Sequence, residues 1–313
     1  AVDPGPAPYS LDYWHSTVDE VSTRWHNCMV VDGANQRVGA QYAMTNRIEE
    51  AGDCYGRMFG HVSGSTIDLL SIDCTTAYGD YLERYVRSFS FLAPGLIAVF
   101  DDCRTIPGRF QRNFEWMLHS ECPMAVEGNT VVARGEKAEL RVHRSIPTDG
   151  ECKLVDGKTL PKFDDRPLYC ASIRPFWHHK WNVSPSDSAY PHWHPNGNTS
   201  PLYGNDYRFL NVLEIVPKHQ SDAAYEIETR ESDQGYVVAM RNATERCVVG
   251  FDPDRQGISV DGVTTDAAIV AVRDSLADSK AGVEWAITDS TRLALRGREV
   301  FSAQSCSDGT GSV

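Results

Sequence analysis

The residues most able to do chemistry by type and spacing fall in one stretch: Trp177, His178, His179, Trp181, His192, Trp193 and His194. Histidines at i and i+2 of a strand share a face, so His192 and His194 could chelate a metal ion. Trp177, Trp181 and Trp193, with His178 beside them, could instead offer flat surfaces to sugar rings, because loops carry binding function. A third reading is a loop packed down on its own aromatics. Sugar contact is the functional reading carried forward here. The sequence holds no G-x-S-x-G, H-E-x-x-H or phosphate loop, so those reaction classes have no support. Its nine cysteines include no C-x-x-C pair, which leaves zinc ribbons and thioredoxin-like redox centres unsupported. An odd count also puts at least one thiol outside any pairing within the chain.

The scaffold that must position such residues reads as all-β. Short runs at 28–31, 66–72, 83–92, 96–100, 130–133, 209–216, 235–240, 247–251, 267–272 and 292–295 are strand-like, with turn signals between them. Tyr85, Arg87, Phe89 and Phe91 fall on one face of such a strand, and Val86, Ser88 and Ser90 on the other. No long helical periodicity competes. The expected architecture is an antiparallel β-sandwich over 1–218, followed by a smaller β domain over 219–313. Residues 143–206 read as loop-like, with the His/Trp-rich loop at 175–194 inside them. The 313 residues are 41% hydrophobic, enough for a packed core. The longest apolar runs are too short to span a bilayer. A net charge of −13, from 43 acidic and 30 basic residues, argues against nucleic acid as a partner, which needs a basic face.

Four segments in order carry a resemblance. His26-Asn27-Cys28-Met29-Val30-Val31-Asp32-Gly33-Ala34-Asn35-Gln36 is similar to the H-N-T-x-x-V-D-G-x-x-Q element of heparinase II/III-like polysaccharide lyases. Asp73-Cys74-Thr75-Thr76-Ala77-Tyr78 resembles that family's D-A-T-x-A-Y segment, and Arg87 its strand arginine. Val99-Phe100-Asp101-Asp102 and Trp116-Met117-Leu118-His119 resemble its V-x-D-D and W-x-L-H strands. Ahead of these four, Asp3-Pro4-Gly5 resembles its D-P-G element. Residues 143–313 match in general character alone.

The resemblance implies β-elimination on a uronic-acid-containing polysaccharide, in a secreted or periplasmic setting. A base takes the proton next to the carboxylate, and an acid protonates the leaving oxygen. A family catalytic tyrosine lies in the interval holding Tyr9 and Tyr13, and Tyr13, nearer His26, fits better. A base role would need its pKa depressed from about 10. The family's zinc, held by one aspartate and two histidines, implies Asp3 and His26 as ligands here. The second histidine and an α/α toroid belong to segments upstream of D-P-G. The expectation is therefore a site completed by such a toroid, as a domain or a separate chain, and a chain inactive or nearly so by itself. Asp73 and His119 read as hydrogen-bonded sandwich residues rather than ligands. A non-catalytic carbohydrate-binding or structural β module is the competing reading.

Overall fold

The computed structural model describes residues 23, 26–34, 36, 56–79, 81–92, 94–106, 112–147, 150–155, 169–175, 206–219, 224–232, 235–276 and 282–313. The described strands begin with β1 (Met29–Val31), β2 (Arg57–Ser63), β3 (Ile67–Asp73), β4 (Leu82–Leu92) and β5 (Leu96–Thr105). They continue with β6 (Phe114–Ser120), β7 (Met124–Glu127), β8 (Thr130–Arg134), β9 (Ala138–Ile146), β10 (Gly150–Val155), β11 (Tyr169–Pro175) and β12 (Asp206–Pro217). The rest are β13 (Glu226–Ser232), β14 (Gly235–Arg241), β15 (Glu245–Phe251), β16 (Ile258–Val260), β17 (Val263–Thr265), β18 (Ile269–Ser275), β19 (Glu284–Leu295) and β20 (Arg298–Ser312). A single 3-10 turn, Thr75–Tyr78, stands between β3 and β4. The expected all-β antiparallel class is what the structure shows. Among the described residues, no helix is long and apolar enough to cross a membrane.

The strands form three sheets. The first runs β1-β6-β11-β10, and the second β2-β3-β4-β5-β12-β9-β8-β7. The third runs β13-β14-β15-β18-β19-β17-β16, with β20 pairing β19. Side chains alternate between the faces of a strand, so each sheet can serve two layers. On β5, Leu96, Ala98 and Phe100 join a core with Leu210, Val212, Val238, Val249 and Phe251, between the second and third sheets. Cys103, of the other parity, joins Met29, Tyr85, Trp116, Leu118 and Phe209 between the first and second. A third cluster, including Val248, Val270, Ile287 and Leu293, lies on the far face of the third sheet. Sheet membership changes between β12 and β13, but packing crosses that change: residues from both sides share one apolar layer.

Two strands, β10 and β11, lie within the stretch that reads as loop-like. β11 pairs with both β6 and β10, so it is an interior strand of the first sheet. Its Cys170, Ala171 and Ser172 are small and carry little hydrophobic signal, which hides the strand from a hydrophobic-periodicity reading. All three are buried, as is every residue of β6. Both faces of β6 and of the middle of β11 are therefore covered, and alternation of polar and apolar residues is not required there. Of the His/Trp-rich loop at 175–194, Pro175 ends β11 and the remainder lies outside the described residues.

Candidate functional site

The motif stretches separated by up to about 90 positions in sequence meet at one carboxylate. Asp101 on β5 is 0% exposed and sits in the layer between the first and second sheets. Among the described residues it accepts four hydrogen bonds. The Tyr85 hydroxyl donates to Oδ1 at 2.9 Å, and Arg87 Nε to the same atom at 2.6 Å. Arg87 Nη2 and Trp116 Nε1 each donate to Oδ2 at 3.1 Å. The register explains the meeting: Arg87 on β4 stands directly opposite Asp101 on β5. Trp116 reaches down from β6 in the sheet above. The arginine grips both oxygens, the geometry that gives the strongest side-chain ion pairs.

The same arginine reaches into the His26-Asn27 segment. Its Nη1 donates to the Asn27 carbonyl at 2.9 Å. Asn27 Oδ1 in turn accepts the backbone N–H of His119 at 2.7 Å. The turn is closed locally by the His26 N–H donating to the Thr23 carbonyl at 3.2 Å, and by the Cys28 N–H donating to the His26 carbonyl at 2.9 Å. A second tie follows just after it. Gln36 Nε2 donates to the Tyr78 hydroxyl at 2.7 Å, and that hydroxyl donates to the Met29 carbonyl at 2.6 Å. Asp73 accepts the Thr75 N–H at 2.9 Å, and the Thr75 hydroxyl accepts the Tyr85 N–H at 2.9 Å. These bonds place the 3-10 turn, so that Tyr78 and Tyr85 meet edge to face at 4.9 Å. Asp73 is thus a hydrogen-bonded residue of the sandwich, as its sequence context suggests.

Electrostatics assign most of this cluster to holding rather than reacting. Burial pushes the Tyr78 and Tyr85 hydroxyls well above their ordinary range, so neither is a base near neutral pH. Burial opposes the charge on Arg87, but Asp101 beside it more than offsets this and raises the guanidinium above its usual value. Burial lifts the Cys74 thiol to about 11, which removes it as a thiolate nucleophile. On the outer face of the first sheet, Glu115 and Ser172 are both buried, and the Ser172 hydroxyl donates to Glu115 Oε2 at 2.8 Å. His119 and Cys170 stand opposite each other on that face.

Of the residues predicted for chemistry, the structure describes His26. It is half-buried at the start of the turn that Asn27 anchors. Asp3, Tyr9, Tyr13, Trp177, His178, Trp181 and Trp193 lie outside the described residues. Zinc takes three or four protein donors in stable sites. Among the described residues no three His, Cys, Asp or Glu side chains group together. The motif residues Asn27, Arg87, Asp101 and Trp116 form one lock, a connection that their spacing in sequence does not carry. Tyr85, two residues before Arg87 and on the same strand face by alternation, is a further member of it.

No family profile matches this chain, and no curated protein matches it. Solved structures do. A heparan sulfate lyase HepC mutant from Pedobacter heparinus superposes with a TM-score of 0.51 at 13% identity, over 80% of this chain and 34% of its own. HepC itself, from the same organism, gives 0.49 at 13% identity over 76% and 32%. A heparinase III gene product gives 0.46 at 10% identity over 82% and 30%. The chain spans about a third of the length of these lyases. At this identity the first of these likenesses is one of fold alone.

Proposed function

We propose that this chain is the β part of a polysaccharide lyase that cleaves a uronic-acid-containing polysaccharide by β-elimination. The observation that carries the proposal is the convergence of the motif stretches on Asp101, which fixes the His26-Asn27 turn through Arg87. In this reading Tyr13, or failing it Tyr9, moves the proton: from the carbon beside the substrate carboxylate, or onto the leaving oxygen. The carbon–oxygen bond breaks as the new double bond forms, and a matched donor must offset charge on the carboxylate. Asp3 and His26 are the proposed zinc ligands. Trp177, His178, Trp181 and Trp193 are the proposed sugar contacts.

The proposed partners are an acidic polysaccharide and an α/α toroid, as a domain or a chain, that completes the cleft, in a secreted or periplasmic setting. Exposed apolar side chains support a covering partner. Phe91 and Ile215 share strand parity with Phe89 and Leu213 on the face that the second sheet turns toward the first, and they are 37% and 46% exposed. A second reading, a non-catalytic carbohydrate-binding or structural β module, has its own support: Asp101 and Arg87 are saturated by each other and by their neighbours. Release of unsaturated uronate, followed by absorbance on a panel of uronate polysaccharides with and without a toroid partner, separates the two. Product formation that falls at least about tenfold in Tyr13→Phe, or in Tyr9→Phe, supports the lyase reading. No product under any pairing supports the module.

A further inference from the structure

The second and third sheets part at one end. Over most of their contact the layer between them is hydrocarbon. Where β12 finishes and β15 begins, it turns polar. Glu214 on β12 is 1% exposed; its Oε1 accepts the backbone N–H of Tyr225 at 2.9 Å, and its Oε2 lies 3.0 Å from His143 Nε2. Glu245 at the start of β15 accepts the Tyr225 hydroxyl, and Arg273 Nε donates to it at 2.6 Å. Tyr225 therefore bridges one buried carboxylate on each sheet. Beside it opens a cleft of about 770 Å³. That falls within the range of small-molecule sites, roughly 300–1,000 Å³.

Both lips of the cleft are built firmly. One is the turn at 242–244, where Asn242 Oδ1 accepts the Thr244 N–H at 2.8 Å, the Thr244 hydroxyl at 3.0 Å and the Glu245 N–H at 2.9 Å. The other is the turn at 94–95. Gly95 has φ +93°, and a Cβ there would come within 3.1 Å of the Ile215 carbonyl oxygen. Glycine is needed at this position for both conformation and close approach.

We propose that this cleft binds a neutral sugar residue of a glycan, an inference that rests on the glycan-acting reading above. Charge selects the class. Arg273 is matched by Glu245 at 2.6 Å and lies 3.9 Å from Glu284. An incoming carboxylate or sulfate would meet two buried carboxylates, and no unmatched arginine or lysine among the described lining residues, whose one histidine is His219. Hydroxyl groups suit the same wall, because carboxylate oxygens accept them while guanidinium N–H groups donate to them. Pro94, Pro217 and the half-buried Tyr225 ring supply apolar ground for the C–H face of a pyranose.

The test is a binding experiment on the full 313-residue chain, by calorimetry and saturation-transfer NMR. Cellotetraose and chitotetraose serve as neutral probes and tetragalacturonate as the acidic one. The expected result is binding of at least one neutral tetramer and weaker or no binding of the acidic one. Ala243→Trp places an indole at the exposed lip without touching a buried group, and should weaken neutral-sugar binding at least about tenfold at an unchanged melting temperature. Tyr225→Phe keeps the ring, removes the hydroxyl and should weaken binding a few-fold. The inference is overturned if neither neutral tetramer binds, if tetragalacturonate binds more tightly, or if Ala243→Trp binds as well as the parent chain. Because the readout is binding, a chain that binds neutral sugar but releases no unsaturated product leaves this inference standing and removes the lyase reading. Product release without neutral-sugar binding does the reverse.

Discussion

The two faces of the second sheet treat buried carboxylates in opposite ways. Asp101 and Asp102 are neighbours on β5 and point to opposite faces. Toward the first sheet, Asp101 receives four hydrogen bonds in a closed layer with no exposed surface. Toward the third sheet, Asp102 lies against Arg84 at 2.5 Å, and that arginine is 42% exposed. Its Oδ1 lies 2.7 Å from Arg208 Nε, but no hydrogen bond is aligned along that contact, which makes it an ion pair rather than a directed bond. Further along the same face, Glu214 borders an open cleft. What separates a lock from a surface that can take a ligand is access from an open cleft, not the presence of a buried acid.

The sharpest way to break this comparison is to remove the lock. Asp101→Ala leaves the Arg87 guanidinium buried without its counter-charge. Removing one partner of a buried pair costs roughly 3–5 kcal/mol, and urea denaturation should read a loss of that size. A loss under about 1 kcal/mol would show that the cluster is not holding the two sheets together. Trp116→Phe is milder. It keeps the ring in the core and deletes one donor to a charged acceptor, which should cost about 1.5–3 kcal/mol. If Trp116→Phe proved as costly as Asp101→Ala, packing rather than hydrogen bonding would dominate the site.

The lock was more legible in the sequence than the cleft, for a physical reason. Arg87, Asp101 and Trp116 sit in strands whose polar letters interrupt apolar runs, Asn27 lies in the turn just before β1, and an arginine facing into a sheet demands a partner. Alternation on β4 placed Tyr85 and Arg87 together before any coordinates. The strand hidden at Tyr169–Pro175 failed the same test because its Cys170 and Ser172 are buried on a face that alternation reads as wet. The cleft was not legible at all. Glu214 lies 31 positions from Glu245 and 59 from Arg273, numbers that follow from their places in the chain. No spacing rule connects residues on two different sheets. Their meeting depends on how the third sheet stacks, which is set by packing of Phe100, Leu210, Val249 and Phe251 rather than by any local pattern.

At the cleft, Tyr225→Phe sharpens the comparison from the other side. The hydroxyl lies at a half-buried position, so water can replace its bond to Glu245. Its loss should cost about 0.5–1.5 kcal/mol, below the Trp116→Phe effect. Burial, then Glu245, pushes this phenol far above its ordinary range, so it stays protonated and acts as a donor across the working pH range. A stability loss matching that of Trp116→Phe would mean that the cleft end is as closed as the lock.

Asp102→Asn should have the smallest effect at neutral pH, and its sign should depend on pH. Burial raises the Asp102 carboxyl above its ordinary value, with Arg208 and Arg84 opposing that rise without cancelling it. A carboxyl raised in the folded state binds its proton more tightly there than in the unfolded chain. Its stabilising contribution is therefore fully present below the unfolded value of about 3.9, and is lost as pH rises through the higher folded value. Asparagine does not titrate, so the variant lacks this slope. Unfolding free energies measured from about pH 3.5 to pH 7 should show the parent gaining on Asp102→Asn as pH falls, with the variant closest to the parent, or above it, at pH 7. The opposite trend, with the variant worst at pH 7, would mean that the ion pairs with Arg84 and Arg208 outweigh burial. Asp102 would then be a second lock, and the contrast between the two faces of the sheet would disappear.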